Sequence, residues 1–229
     1  MQIVKICGTI YAYVLKSLEG VPKSMKNTFI LAILAGFCIG LGGTVYLSVD
    51  NPVVGAALFS IGLLTILAFG FNLFTGKVGY ALDNPPSYIW TLLVIWLGNF
   101  VGTWAMAMLV RCTRVYDKLA PKVKGIVEAK LNDDLLSILF LAIGCGMCMY
   151  IAVDQYRKRT SMVRALFVIF PVMVFILCSF EHCIANMYYF SLAGALVGKT
   201  YIYLAVMTLG NAVGGLIIPA LTKLTAEKK

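Results

Sequence analysis

One apolar run, over residues 162–197, constrains the fold of this chain most strongly. About 20 residues suffice for a helix to cross the hydrocarbon core of a bilayer, so the run is too long for one crossing. Beyond Arg164 it carries no charged residue until Glu181, and His182 follows directly as the single histidine of the chain. A glutamate and a histidine at bilayer depth are costly, and by default they mark a substrate or proton pathway. A loop at the membrane surface would also accommodate the pair, and the run alone does not separate the two interpretations.

The composition identifies an integral membrane protein. Hydrophobic residues make up 61% of the 229 residues and charged residues 13%, whereas a soluble domain contains about 45–50% apolar and about 25% charged residues. Because one crossing takes about 20 residues, this length accommodates six membrane helices joined by short loops. We therefore predict one all-α, multi-pass domain over residues 1–229, embedded in the lipid bilayer.

The first residues are predicted to lie on the membrane surface. Over residues 3–20 the apolar side chains fall on one helical stripe, with Lys5 and Lys16 outside it, which is typical of an interfacial amphipathic helix. The stretch does not match a signal peptide, because its uncharged core is short and no small-residue cleavage site follows. Pro22 ends this helix.

The formal net charge of +9 does not indicate a nucleic-acid-binding protein, because no soluble domain is left to bind nucleic acid. The basic residues fall in short loops between the helices, where they set the orientation in the membrane. Their distribution favours cytoplasmic termini. The basic loop over residues 111–130 then faces outward, where it attracts anions.

The seven cysteines are expected to be free thiols, because most of them fall within apolar runs, where a thiol behaves as a small hydrophobic group. Those within apolar runs are Cys38, Cys145, Cys148, Cys178 and Cys183. Cys145 and Cys148 are spaced C-x-x-C, but no second pair and no ligating histidine lies nearby in the sequence. We therefore expect no metal and no cofactor.

Two short motifs divide the chain into halves. Residues 97–102 (LGNFVG) and 209–214 (LGNAVG) differ at one position in six, and each lies in an uninterrupted apolar helix that follows a broken one. The first broken helix is interrupted at residues 71–77 and the second at residues 179–182. Residues 27–110 and 135–222 therefore form two three-helix repeats, which insert with opposite orientation because three is an odd number.

Inverted repeats of this kind bring the two breaks together near the middle of the membrane. Paired interruptions in corresponding helices are the best pointer in a sequence to a binding site. This arrangement assigns His182 to a pore or a transport site instead of a surface loop.

At these residues the chain resembles the formate/nitrite transporter family of bacterial anion channels. The resemblance covers nearly the whole sequence and is carried by NLFTG (72–76), FEHCIANM (180–187) and the two LGNxVG motifs. It implies an aquaporin-like channel domain in the bacterial inner membrane, assembled as a homopentamer with one pore in each subunit. It also implies that the permeant is a small monovalent anion (formate, nitrite or hydrosulfide) and that the chain is not an enzyme.

The resemblance also assigns roles to residues at matching motif positions. His182 corresponds to the central histidine of the family, oriented by Glu181. Thr75 corresponds to the hydroxyl of the first break, and Leu73 to its apolar neighbour. The further pore positions are the hydrophobic constrictions Phe59, Leu63 and Phe175, the basic vestibule residue Lys130, and the motif asparagines Asn99 and Asn211.

Two positions depart from the family pattern. Asn72 stands where the family usually has an acidic residue, and Gly146 where it usually has an asparagine. The missing asparagine removes one polar contact to the permeant, which leaves the identity of the anion open.

Each assigned residue also has an ordinary interpretation. A leucine or phenylalanine in an apolar helix is most often plain core, and Lys130 would otherwise be a loop lysine. Thr75 can satisfy backbone groups at the break, and Asn99 and Asn211 can pack helices and satisfy backbone groups.

These residues predict a mechanism. An anion drawn in by Lys130 meets apolar rings that are costly to cross as an ion. A histidine, with a reference pKa of about 6.5, can offset the charge as an imidazolium, or it can supply a proton so that the permeant crosses as a neutral acid. One alternative is an aquaporin-like channel for small neutral solutes, which should carry Asn-Pro-Ala boxes that this sequence lacks. The other is a membrane-embedded redox enzyme, for which one histidine and one glutamate are few.

Overall fold

The computed structural model describes residues 23–226, so the amphipathic helix predicted over residues 3–20 lies outside the described part. The described residues form nine α-helices and one 3-10 helix, Val78–Asp83. In chain order the α-helices are α1 (Lys23–Ser48), α2 (Pro52–Phe69), α3 (Phe74–Lys77), α4 (Tyr88–Arg111), α5 (Val115–Leu131), α6 (Leu135–Lys158), α7 (Val163–Leu177), α8 (Cys183–Ala193) and α9 (Gly198–Ala226).

Five of the described helices are long and apolar enough to cross a membrane, namely α1, α2, α4, α6 and α9. The apolar helix α7 has 15 residues, and α8 continues for 11 residues after a break. The prediction of an all-helical membrane protein is confirmed. Both expected interruptions are present, because residues 70–73 separate α2 from α3 and residues 178–182 separate α7 from α8.

The basic stretch after α4 differs from the expectation, because it forms the helix α5 and not an irregular loop. Leu119, Val123 and Val127 recur at every fourth position and are buried. This spacing gives the segment one apolar stripe that packs inward while most of its charged residues face outward. The helix contacts α8 and α1, so it covers the site described below.

Two helix pairs form the frame of the molecule: α1 packs along α4, and α6 packs along α9. Glycines in equivalent positions permit both contacts. A Cβ atom on Gly102 of α4 would collide with the carbonyl of Ile33 on α1, and a Cβ atom on Gly214 of α9 would collide with the carbonyl of Ile143 on α6. Small residues at helix interfaces are typical of membrane proteins, where close backbone packing drives association.

The two broken helices occupy the centre of this frame. α2 packs against α7, and α8 packs against α4 and α5. All residues of α8 from 183 to 192 are buried. The irregular backbone of the breaks is therefore surrounded by protein, which is the condition under which such backbone is tolerated at membrane depth.

Candidate passage at the two helix breaks

A single asparagine side chain supports the first break. Asn99 on α4 accepts a hydrogen bond from the Phe74 N–H through Oδ1 at 2.8 Å. Its Nδ2 donates to the carbonyl of Ala32 at 2.7 Å and to that of Asn72 at 2.9 Å. Because Asn99 is fully buried, its bonds to Phe74 and Asn72 satisfy backbone groups that the interrupted helix would leave unpaired away from water, and its bond to Ala32 ties the break to α1.

The second break repeats this arrangement. Asn211 on α9 accepts from the Cys183 N–H at 2.8 Å and donates to the carbonyls of Ala142 at 2.8 Å and Glu181 at 2.7 Å. Neither Asn211 nor Asn99 lines either of the cavities described below. Both side chains support the backbone of the breaks, as their ordinary interpretation predicts, and their assignment as pore residues stays a prediction.

The two breaks meet at Thr75 and His182. Thr75 Oγ1 lies 3.0 Å from His182 Nε2, and the two residues are only 1% and 2% exposed. His182 Nδ1 accepts the Ala185 N–H at 3.0 Å and so caps the N-terminus of α8. Because Nδ1 accepts, a neutral ring carries its proton on Nε2 and donates it to Thr75 Oγ1. The hydroxyl hydrogen of Thr75 is then available to another acceptor.

Glu181 does not orient His182, which corrects the role that the resemblance implied. Its Oε2 lies 2.6 Å from Lys130 Nζ and accepts a hydrogen bond of 2.7 Å from Asn186 Nδ2. The backbone explains the difference. His182 has an extended conformation, with φ −94° and ψ 109°, and neighbouring side chains on extended backbone point to opposite sides. The histidine ring is oriented by the threonine and by the helix cap.

Lys130 is an ion-paired lysine near the end of α5. Its side chain is 14% exposed and that of Glu181 is 4% exposed. The carboxylate at 2.6 Å offsets most of the ammonium charge seen by an approaching ion. The expectation that Lys130 draws anions by its own charge therefore needs correction, because the pair as a whole is neutral.

Asn186 belongs to this cluster, although the sequence analysis did not single it out. Its Nδ2 contacts Met207 Sδ at 3.2 Å in addition to the Glu181 carboxylate. Its Oδ1 is buried and has no partner among the described residues. The motif FEHCIANM could have indicated this contact, because Asn186 lies in the first turn of α8 and Glu181 lies just before that helix.

Two cavities approach the contact between Thr75 and His182. The histidine cavity has a volume of about 110 Å³, and its lining includes His182, Asn186, Lys130, Ser179, Phe59 and Phe175. The arginine cavity has a volume of about 450 Å³, and its lining includes Leu63, Leu73, Lys77, Arg157, Arg159 and Arg164. The threonine lines neither cavity and lies between them, since its neighbours Leu73 and Gly76 line one and its partner His182 lines the other.

The three residues assigned to constrictions, Phe59, Leu63 and Phe175, surround this contact together with Leu73. Phe59 and Phe175 meet edge to face with ring centroids 5.9 Å apart, and Phe175 stacks on the His182 ring at 5.5 Å. Leu63 and Leu73 lie on the side of the arginine cavity. All four are at most 3% exposed, so an apolar layer separates the two cavities.

The two positions that depart from the family pattern have structural explanations. Asn72 Nδ2 donates to the carbonyl of Thr28 at 3.4 Å, which ties the break to α1. Gly146 lies in the contact between α6 and α9, where a Cβ atom would collide with the carbonyl of Asn211. No larger side chain fits at Gly146, and the residue lines neither cavity. A side chain at this position would therefore not contact a permeant in either cavity.

Within residues 23–226 the cysteines are free thiols. In the same range no group of three His, Cys, Asp or Glu side chains is placed to hold a metal ion.

Known proteins share the sequence pattern and the fold. The family model described as formate/nitrite transporter matches residues 9–225. The formate channel FocA of Haemophilus influenzae is 26% identical over 182 residues, which cover 70% of this chain and 64% of that channel. The formate-nitrite transporter of Plasmodium falciparum is 27% identical over 260 residues, which cover 95% of this chain and 84% of that transporter. A solved structure of a pentameric formate channel with formate bound has a TM-score of 0.77 at 24% identity, covering 91% of this chain and 100% of that one.

These similarities differ in what they establish. The match to the Haemophilus channel spans less than two thirds of the length of that relative, and the structural likeness, at 24% identity, concerns the fold. The relatives are channels and transporters and not enzymes. The family model, in contrast, extends over almost the entire sequence, and on that ground the chain belongs to the formate/nitrite transporter family.

Proposed function

We propose that this protein passes a small monovalent anion, such as formate, nitrite or hydrosulfide, through a pore in each subunit. The observation that carries the proposal is the buried contact between Thr75 and His182, which lies where two helix breaks meet and between two cavities. A polar pair at the centre of an apolar layer gives a permeant hydrogen-bonding groups at the point where the loss of water is most costly.

His182 acts in this proposal as a neutral ring. Its Nδ1 accepts the Ala185 N–H, so an imidazolium would lose the cap of α8 and leave two N–H groups facing each other. The ring therefore donates from Nε2 to Thr75, and the threonine hydroxyl donates to the permeant. The ring supplies orientation and polarity at this point, and a permeant that needs a proton to cross the apolar layer takes it from the aqueous cavities.

The histidine cavity suits a weakly held permeant. Lys130 and Glu181 neutralise each other there, while the unpartnered Oδ1 of Asn186 offers an acceptor. The neutral acid of the permeant carries both an acceptor and an O–H or S–H donor and matches these groups better than an anion does. This supports passage through the narrow part in the protonated form.

The assembly that we propose is a homopentamer in the bacterial inner membrane, with six crossings in two inverted three-helix repeats and both termini in the cytoplasm. The matched bonds of Asn99 and Asn211 support the repeats. Large apolar side chains on the outer surface, such as Trp90 at 66% and Phe140 at 62% exposed, suit contact with lipid or neighbouring subunits. Native mass spectrometry in mild detergent should show five subunits, and only monomers would contradict the pentamer.

The function is tested by flux into liposomes that contain the purified protein. Formate, nitrite, hydrosulfide, acetate and chloride are compared with glycerol, and empty liposomes serve as the control. We expect rapid entry of at least one of the first three anions, with no chemical change in it. Entry of glycerol alone would favour the channel for neutral solutes, and rates equal to those of empty liposomes would contradict both.

A further inference from the structure

The arginine cavity is lined by more positive charges than one monovalent anion can neutralise. It lies where the end of α6 and the start of α7 meet the first break. Four cationic side chains line it: Lys77, Arg157, Arg159 and Arg164. Leu73 and Gly76 also line it, so the cavity is the mouth that leads to Thr75 from this side.

No carboxylate in the described part of the chain forms an ion pair with any of these four cations. The three ion pairs found within residues 23–226 join Lys130 to Glu181, Lys158 to Asp154, and Lys223 to Asp83. The acid adjacent along the chain, Asp154, is thus already paired with Lys158, at 2.9 Å. Like charges that share one cavity repel one another, and a bound anion removes that repulsion.

The three arginines are held by aromatic rings. The guanidinium of Arg157 lies 4.4 Å from the ring centroid of Tyr80. Arg164 lies 4.9 Å from the ring of Tyr156, and Arg159 lies 5.7 Å from that of Phe167. The ring faces attract these cations, and Arg159 also donates from Nε to Gln155 Oε1 at 3.4 Å. The remaining N–H groups of a guanidinium match the oxygens of carboxylates and phosphates in pairs.

The size of the cavity separates two classes of anion. A three-atom anion is not much larger than a water molecule, whose share of liquid volume is about 30 Å³, whereas the cavity holds about 450 Å³. Such an anion contacts one guanidinium at a time. A larger anion with several charged oxygens reaches two or three cations together, and each charge-assisted bond adds to its affinity.

We propose that the arginine cavity binds a polyvalent oxyanion, of the phosphate or polycarboxylate class, which competes with the permeant for this mouth. The bound ion does not pass onward. Leu63 and Leu73, which line the cavity, belong to the buried apolar layer between the two cavities, and the desolvation penalty of an ion rises steeply with its charge. Larger cellular anions that bind in the arginine cavity would therefore regulate the entry of the permeant.

Calorimetric titration of the full chain in detergent tests the binding without any flux. Pyrophosphate and citrate serve as probes of the two chemical classes, and formate serves as the monovalent comparison. We expect at least one of the polyvalent probes to bind more tightly than formate, and its Kd to rise about tenfold or more in R157Q/R159Q/R164Q. Binding of pyrophosphate alone or citrate alone would assign the class.

The matched control is R114Q/K118Q/K124Q, which removes three cations at and within α5 and changes the net charge equally. Its Kd should stay within about twofold of the original value, since exposed charges farther away are screened. Equal loss of affinity in the two triple variants would overturn the proposal, because net charge alone would then explain binding. Equal affinity for formate and both polyvalent probes would overturn it as well.

Formate conductance across a planar bilayer tests the competition. The polyvalent probe that binds should block from one face only, and R157Q/R159Q/R164Q should abolish this block while it still conducts. Block from both faces, or an unchanged block in the variant, would contradict a site in this cavity. If the protein conducts no anion at all, the proposed function fails, whereas the calorimetric result still decides whether the site exists.

Discussion

The two helix breaks have nearly the same backbone and very different side chains. In the first, the Phe71 N–H donates to the Ile66 carbonyl at 2.9 Å; in the second, the Phe180 N–H donates to the Phe175 carbonyl at 2.8 Å. Each break then bonds to the neighbouring membrane helix, through Asn72 to Leu31 and through Glu181 to Leu141, both at 3.2 Å. Asn99 and Asn211 complete the match.

The side chains that differ carry the chemistry. The equivalent positions of the two breaks are Gly70 and Ser179, Asn72 and Glu181, Leu73 and His182, Thr75 and Ile184, and Lys77 and Asn186. The second break therefore contributes the histidine and a buried acid, while the first contributes the threonine and an unpaired cation among the described residues. A repeated backbone thus holds two chemically different loops face to face, and each supplies one half of the contact between Thr75 and His182.

The largest effect is expected where the two breaks are alike. Asn211→Ala removes three hydrogen bonds and leaves the Cys183 N–H and the Glu181 carbonyl without the partner that Asn211 supplies, and each unsatisfied buried group costs about 1–3 kcal/mol. Asn99→Ala removes the equivalent three bonds at the first break. Both variants should lose several kcal/mol of stability, measured as thermal unfolding in detergent.

Asn72→Ala is the control for these two variants, because its side chain makes only one long bond, of 3.4 Å, to the Thr28 carbonyl. It should unfold within a few degrees of the unmodified protein. A large loss for Asn211→Ala with none for Asn99→Ala would show that the two breaks are not supported in the same way.

The next prediction compares the loss of stability when the lysine at each break is replaced by an uncharged residue. Lys130→Met leaves the Glu181 carboxylate buried and without its cation, and breaking such a pair costs about 3–5 kcal/mol. Glu181→Gln added to this variant should recover most of the loss, because the amide keeps a bond to Asn186 without a buried charge. Lys77→Met at the first break should change stability by less than about 1 kcal/mol, because no carboxylate within residues 23–226 pairs with it. Equal losses for the two lysine variants would contradict the asymmetry.

The contact between the breaks is tested by flux. Thr75→Val keeps the shape of the side chain and removes the hydroxyl that we propose donates to the permeant. It should lower anion flux about tenfold, which corresponds to the loss of about one hydrogen bond. Unchanged flux for every permeant anion would leave the threonine with a purely structural role.

His182→Asn distinguishes a neutral ring from a charged one. Asparagine is a good N-cap and still donates to Thr75, so the variant should fold. If the ring stays neutral, flux changes in size while the shape of its pH profile between about pH 5 and 8 is retained. A profile that loses its pH dependence in His182→Asn would show that the ring takes up a proton and would contradict the neutral-ring proposal.

The sequence predicted the two breaks from local signals, and it predicted that they meet from the repeat of the motifs that follow them. Polar and glycine residues interrupt apolar runs, and the two LGNxVG motifs mark the supporting helices. The partner of Glu181 was not predictable in this way, since Lys130 is distant in sequence and lies on a helix that was expected to be a loop. The arginine cavity was missed for a similar reason: Arg157, Arg159 and Arg164 look like ordinary loop cations until α7 folds back beside the first break.

The smallest effect concerns the one position where the second break is strained. Ser179 has φ 55°, whereas the equivalent Gly70 has φ 71°, and a residue with a Cβ atom is disfavoured by about 1–2 kcal/mol in this left-handed region. Ser179→Gly relieves that strain but adds chain entropy to the unfolded state, so a net gain of about 0.5 kcal/mol is expected. Gly70→Ser should lose about 1 kcal/mol or slightly more. Both are measured by unfolding in detergent, and Ser191→Gly, inside the regular helix α8, is the control that should only destabilise. If Ser179→Gly also destabilised the protein, the serine side chain, which lines the histidine cavity, would contribute more than its backbone strain removes.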